Sequence, residues 1–230
     1  MMERIPEPEL MDDHDQAMAY SAADFAAPHQ AFIEQLCCCF PELPPRGLAL
    51  DLGCGPGDIA RRFALAYPGW TLDAIDGAEA MLNCGRQQIQ SEDLKRRIRF
   101  SKVFLPQDCP PHNGYDFIFS NSLLHHLANP LDLWRSLQRW SHAATPVFVM
   151  DLLRPESVEA AQSLVEQYTA GEPDLLRRDF YHSLLAAYRL EEVESQLQAV
   201  GLSRLQRSII SDRHWIAWGY LTHNSAKDLG

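Results

Sequence analysis

Hydrophobic positions along this chain keep two rhythms. Short, nearly continuous apolar runs recur as GLALDLG (47–53), TLDAID (71–76), RIRFSKV (97–103), YDFIFSN (115–121) and PVFVMDL (146–152). Runs of that length bounded by turn residues predict strands. Longer segments between them predict helices: Asp58–Tyr67, Ala78–Gln90, and Leu131–His142, which is entered through ANP. The alternation of strand and crossover-length helix predicts βαβ units and a parallel sheet.

The flanks depart from this alternation. Before the first run, AADFAAPHQAFIEQLCCCF (22–40) predicts a helix interrupted near Pro28, and PELPP (41–45) marks a linker into the sheet. From Arg154 to Tyr188 the chain holds more helix than a crossover needs. Val158, Ala161, Val165 and Tyr168 fall on one helical face, and a second helix follows from about Asp174. LEEVESQLQAVGL (190–202) predicts a helix stopping at Gly201. SRLQRSII (203–210) and HWIAWGYL (214–221), joined by SDR, predict a closing antiparallel hairpin.

Composition narrows the function classes. With 230 residues and 46% hydrophobic content, the chain can bury one substantial core. Twenty Lys and Arg against 31 Asp and Glu leave a formal charge of −11, which opposes approach to a phosphate backbone and makes nucleic acid a poor partner. MMERIPEPEL has no basic-then-apolar signal, and no apolar run is long enough to span a bilayer, so a cytoplasmic protein without a membrane partner is expected. Cys37, Cys38 and Cys39 are consecutive, and Cys54, Cys84 and Cys109 stand singly. None has the spacing of a metal site or redox pair, so no metal is expected and the triplet reads as part of a packed helix.

The chemistry gathers around ALDLGCGPGDIARRFA (49–64). A strand, a turn with Gly53, Gly55 and Gly57, and a helix start together present bare backbone N–H groups and a positive helix end to a ligand. The dinucleotide fingerprint needs glycine where this chain has Asp58, whose charge would face a pyrophosphate. A nucleotide-like cofactor without phosphate fits better. Asp76, at the end of the second run, stands where a carboxylate can accept from both ribose hydroxyls.

LDLGCGPG, DAIDGAEAML, YDFIFSNSLLHHL and VFVMDLLRP, in that order and spacing, resemble the class I S-adenosylmethionine-dependent methyltransferases over roughly residues 46–221. The resemblance implies an α/β fold. Its Rossmann-like seven-stranded sheet is parallel with one antiparallel strand in a terminal hairpin, with helices on both faces and a helical cap. It implies a helical lid segment at 1–45 and a cofactor-binding domain at 46–230 carrying the insertion 154–188. The implied cofactor is S-adenosylmethionine, with S-adenosylhomocysteine as product.

Carried over residue by residue, the resemblance sets Asp51, Gly53 and Gly55 at the methionine end of the cofactor. Asp76 and Gly77 fall at the ribose, Met81 on the adenine, and Ser120 and Asn121 near the amino-acid end. The family often places an acid after the third strand for the adenine amine. FSKVFLP has none there and Asp108 comes too late, so backbone groups at Val103 and Phe104 would serve. Tyr20 in AYSAADF is a candidate lid residue.

Methyl transfer has no obligatory catalytic residue, because orienting the nucleophile in a water-poor pocket does most of the work. Substrate-side candidates are His125, Tyr181 and Arg213, each with an alternative role in packing or at a solvated tip. The expected partner is a small-molecule methyl acceptor. A cofactor-binding regulatory module and a methyltransferase of protein or tRNA remain the alternatives, and the oligomeric state is open.

Overall fold

The computed structural model describes residues 2–7 and 12–221. The parts of the expected segments 1–45 and 46–230 that fall on residues 1, 8–11 and 222–230 lie outside the described residues. Strands β1 (Gly47–Leu52), β2 (Trp70–Asp76), β3 (Ile98–Lys102), β4 (Phe117–Asn121), β5 (Pro146–Leu152), β6 (Gln206–Ile209) and β7 (His214–Tyr220) form one sheet in the order β3-β2-β1-β4-β5-β7-β6. All pairings are parallel except those of β7, which runs antiparallel to both β5 and β6. The expected sheet and terminal hairpin are therefore present.

The helices are α1 (His14–Ala22), α2 (Ala26–Cys39), α3 (Asp58–Ala66), α4 (Glu79–Gln88), α5 (Glu92–Arg97), α6 (Leu131–Trp140), α7 (Val158–Tyr168), α8 (Asp174–Ala186) and α9 (Leu190–Ala199). Successive strand residues point to opposite faces, and both faces are covered. Ala49, Phe117, Phe119 and Phe148 meet Phe32 and Leu36 of α2 and Phe63 of α3. Leu50, Ile118, Val147 and Val149 meet Trp134 and Leu137 of α6 and Val193 and Leu197 of α9. Burial on two faces is why the strands read as continuous apolar runs instead of alternating ones, and each large side chain so buried contributes about 1.5–3 kcal/mol. The indole N–H of Trp134 donates to Gln196 Oε1 at 2.9 Å, fixing α6 against α9.

Local departures have local reasons. The break in the N-terminal helix falls at Ala23–Phe25, not at Pro28, which sits in the first turn of α2 where a missing N–H costs nothing. Residues 2–7 are not helical. They run extended over α8, with Ile5 N–H donating to the Leu185 carbonyl at 3.0 Å. On α7, Ala161 and Val165 are buried together with Leu164, whereas Val158 and Tyr168 are exposed, because this helix packs on α8 and Leu152 through a narrow stripe. The triplet on α2 has Cys38 exposed and its neighbours half-buried, with Cys37 Sγ 3.2 Å from the Tyr67 hydroxyl.

One topological step positions the site. The chain fills β1, β2 and β3 toward one edge and then re-enters on the other side of β1 as β4. The crossovers on the two sides of β1 and β4 diverge, opening a crevice at the carboxyl ends of these strands.

Candidate cofactor and acceptor site

The glycine turn occupies that crevice. Gly53 and Gly57 have φ of +71° and +77°, and a Cβ would lie 2.8 Å from Leu123 at the first and 2.6 Å from the Phe100 ring at the second. Left-handed backbone and close packing both demand glycine there. At Gly55 an added Cβ would meet nothing within 4 Å, so the turn faces open space. The Gly53 and Cys54 N–H groups donate to the Ile75 carbonyl at 2.9 and 3.0 Å, tying the turn to the end of β2.

Asp76 completes this tie. Its Oδ2 accepts from Gly55 N–H and its Oδ1 from Ala78 N–H, both at 2.8 Å. Burial pushes the Asp76 carboxyl up, against the pull of those backbone donors. A carboxylate has about four lone-pair positions, so Asp76 keeps capacity for a further donor.

Asp51 and Asn121 stand at the ends of the adjacent strands β1 and β4. Asp51 is 2% exposed, and its Oδ2 has no hydrogen-bond partner among the described residues; neither has Asn121 Oδ1. Burial, and then the charge of Asp76, push the Asp51 carboxyl well above the usual carboxylate range. Each buried orphan acceptor costs about 1–3 kcal/mol, so the pair is built for a donor that arrives from outside. Ser120 does not join them. Strand alternation turns it away from the cavity, and its hydroxyl donates to the Leu52 carbonyl at 2.8 Å, clasping β4 to β1.

These groups line one cavity of about 490 Å³. Beyond Asp76 its walls are Tyr20, Phe25, Gly77, Met81, Val103 and Phe104. Met81 is packed among Ala17, Ala78 and Cys84, and Tyr20 rests on Phe25 with ring centroids 4.7 Å apart. Burial, followed by the charge of Asp76, pushes the Tyr20 phenol up to about 12. The N–H groups of Val103 and Phe104 bond within the protein, Val103 donating to the Asp76 carbonyl and Phe104 to Asp108 Oδ2, both at 3.0 Å.

The opposite end is assembled from distant segments. A 3-10 turn, Leu124–His126, brings in His125, whose Nδ1 lies 2.5 Å from Asp151 Oδ1. Asp151 accepts from the N–H groups of Leu124 and Leu152, both at 2.7 Å. Burial opposes charge on both partners, but their mutual attraction holds the His125 pKa up and the Asp151 pKa down. Helix α8 turns Leu176, Asp179, Phe180 and Ser183 toward the cavity. Tyr181 is absent from that face and packs in the cluster of α7 and α8.

Arg213 is the only arginine or lysine lining the cavity among the described residues. Its guanidinium stands 3.2 Å from the centroid of the Tyr168 ring. Burial, and then the charge of Arg213, push neighbouring His214 down to about 4, so it is neutral at pH 7.

A family model described as a methyltransferase domain matches residues 50–145, the span that holds Asp51, the glycine turn, Asp76 and Asn121. Over this span the chain is similar to the S-adenosylmethionine-dependent methyltransferases. A trans-aconitate 2-methyltransferase of Sinorhizobium fredii is 31% identical over 57% of this chain and 47% of that protein. A malonyl-[acyl-carrier protein] O-methyltransferase of Halalkalibacterium halodurans is 28% identical over 42% of this chain and 35% of that protein. The matched regions span about half or less of these relatives. Among solved structures, the plantazolicin methyltransferase BpumL, in complex with a triazolic desmethylPZN analogue and S-adenosylhomocysteine, superposes with a TM-score of 0.68. It is 17% identical, covering 91% of this chain and 92% of that one. A methyltransferase from Aquifex aeolicus reaches 0.64 at 18% identity, covering 91% and 99%.

The methyltransferase cofactor fits what the cavity offers. An ammonium group supplies the donors that Asp51 and Asn121 lack, ribose hydroxyls suit the spare lone pairs of Asp76, and an adenine suits the apolar walls at Met81 and Val103. Phe25 and the cavity-facing residues of α8 lie outside the four motifs, and Asp151, inside the fourth, is not singled out by it. Asp151 had a signal available: like Asp51 in LALDL, it interrupts a fully buried strand run, VFVMDL.

Proposed function

We propose that this chain transfers the methyl group of S-adenosylmethionine to a small organic acceptor. The observation that carries this reading is the pair of orphaned buried acceptors, Asp51 Oδ2 and Asn121 Oδ1, beside a glycine turn pinned to Asp76. When bound, S-adenosylmethionine supplies an electrophilic methyl on a sulfonium. The chain's own part is to bind, orient and keep out water. Asp51 and Asn121 hold the ammonium end and Asp76 the ribose. Tyr20, Phe25 and Met81 cover the base.

At the other end, Arg213 supplies a fixed charge for an anionic group on the acceptor, with Leu176 and Phe180 excluding water. That polarity agrees with the acidic acceptors named for the two relatives, trans-aconitate and malonyl-[acyl-carrier protein]. Asp151 and Arg4 hold His125 as part of the acceptor wall, Arg4 Nη2 donating to its carbonyl at 2.9 Å. We read the protein as cytoplasmic, in keeping with six free cysteines, and as having no nucleic-acid partner, in keeping with its charge of −11. No helix among the described residues is long and apolar enough to cross a membrane.

Isothermal titration with S-adenosylhomocysteine tests the cofactor half. Asp51→Asn should weaken binding about 10- to 100-fold, which is about 1.4–2.8 kcal/mol, while stability holds or rises because a desolvated, unpartnered carboxyl is removed. Equal affinity in wild type and variant would overturn the assignment. Tritiated methyl carried into the small-molecule fraction of a cell extract supports the acceptor class; label confined to protein or RNA would overturn it.

A further inference from the structure

We propose that Glu7, His125 and His126 form a binding site for a divalent transition-metal ion, zinc being the best match to two imidazoles and one carboxylate. Glu7 Oε1 lies 3.5 Å from His125 Nε2 and 3.3 Å from His126 Nδ1. It is buried and meets no hydrogen-bond donor in good geometry. Tetrahedral ligands at metal distances of about 2.0–2.1 Å stand roughly 3.3–3.4 Å apart, so these separations suit atoms sharing one ion better than atoms sharing a proton.

The surroundings are those of a prepared ligand set. The other ring nitrogen of His125 lies on Asp151, the arrangement that orients a metal-ligating imidazole and raises its basicity. Asp151 is itself held by two backbone N–H groups. Arg4 locks the extended segment that carries Glu7, its Nε donating to the Ala186 carbonyl at 2.6 Å and its Nη2 to the His125 carbonyl. His125 and His126 line the cavity, so a water or an acceptor oxygen can take the fourth position. The site stands on these residues alone, whatever the acceptor proves to be.

Cobalt(II) is the probe. Titrated into chelator-treated full-length chain, it should give one equivalent of binding with a tetrahedral visible band, displaced by zinc. Glu7→Gln and His126→Gln should each weaken binding at least 10-fold while leaving the thermal midpoint unshifted and the affinity for S-adenosylhomocysteine within twofold of wild type. Those two controls separate loss of the metal site from misfolding and from failure of the cofactor assignment. Absence of a cobalt band, binding unchanged in both variants, or a thiolate-to-cobalt charge-transfer band marking Cys37–Cys39 as the ligands would overturn the proposal.

Discussion

At the cofactor end of the cavity, the contacts come from short stretches at the tips of neighbouring parallel strands: 51–55, 76–78 and 121. At the acceptor end they come from residues 4–7, the turn at 124–126, helix α8 and the start of β7. The first set is held by backbone, with Gly53, Cys54, Gly55 and Ala78 N–H groups all bonded within the β1–β2 junction. The second is held by side chains reaching between segments far apart in the chain, such as Arg4 to Ala186 and His125 to Asp151. A backbone-built half tolerates little change, while a side-chain-built half can be rebuilt residue by residue for another acceptor.

Substitutions at the two ends sharpen that contrast. Gly57→Val should do the most damage, about 2–5 kcal/mol, since it adds a left-handed β-branched residue and drives a side chain into Phe100. Urea unfolding reads this directly, and a loss under about 1 kcal/mol would show that Phe100 yields. Asp76→Ala should weaken S-adenosylhomocysteine binding by about 1.5–3 kcal/mol. An unchanged titration would put the ribose elsewhere.

Asp58, at the start of α3, tests how the cofactor turn is anchored to α2. Burial works against its ionisation, but bonds from His29, Arg62 and Arg61 outweigh it and hold the carboxyl well below the usual range. A carboxyl depressed in the folded state contributes stability above its unfolded pKa of about 4, and loses it as pH falls toward the folded value. Asp58→Asn should therefore cost about 1–2 kcal/mol at pH 7, discounted for partial exposure, with the gap to wild type closing below pH 4. A gap constant from pH 7 to pH 3 would mean that the ion pairs contribute nothing.

The smallest effect concerns the segments that cover the two ends. Saturation with S-adenosylhomocysteine should slow amide exchange several-fold in 154–188 and Tyr20–Phe25, with β1 and β4 slow throughout. Equal exchange with and without ligand would make both segments fixed walls and remove the lid.

The hydrophobic pattern of the chain by itself determined the seven strands, the crossover helices α3, α4 and α6 and the closing hairpin, and the motifs marked the glycine turn with Asp51 and Asp76. These depend on interactions between residues near in sequence or on uninterrupted burial, and both leave a local trace. Only the tertiary structure decided that Ser120 clasps Leu52 while Asn121 faces the cavity, because one residue of strand register reverses the face. The same holds at α8, where a 100° step per residue turns Phe180 into the cavity and leaves Tyr181 out of it. The convergence of Glu7 on His125 and His126 has no sequence spacing at all. It arises from an N-terminal segment laid over α8 and the 124–126 turn, a contact that exists only once the rest of the molecule has folded.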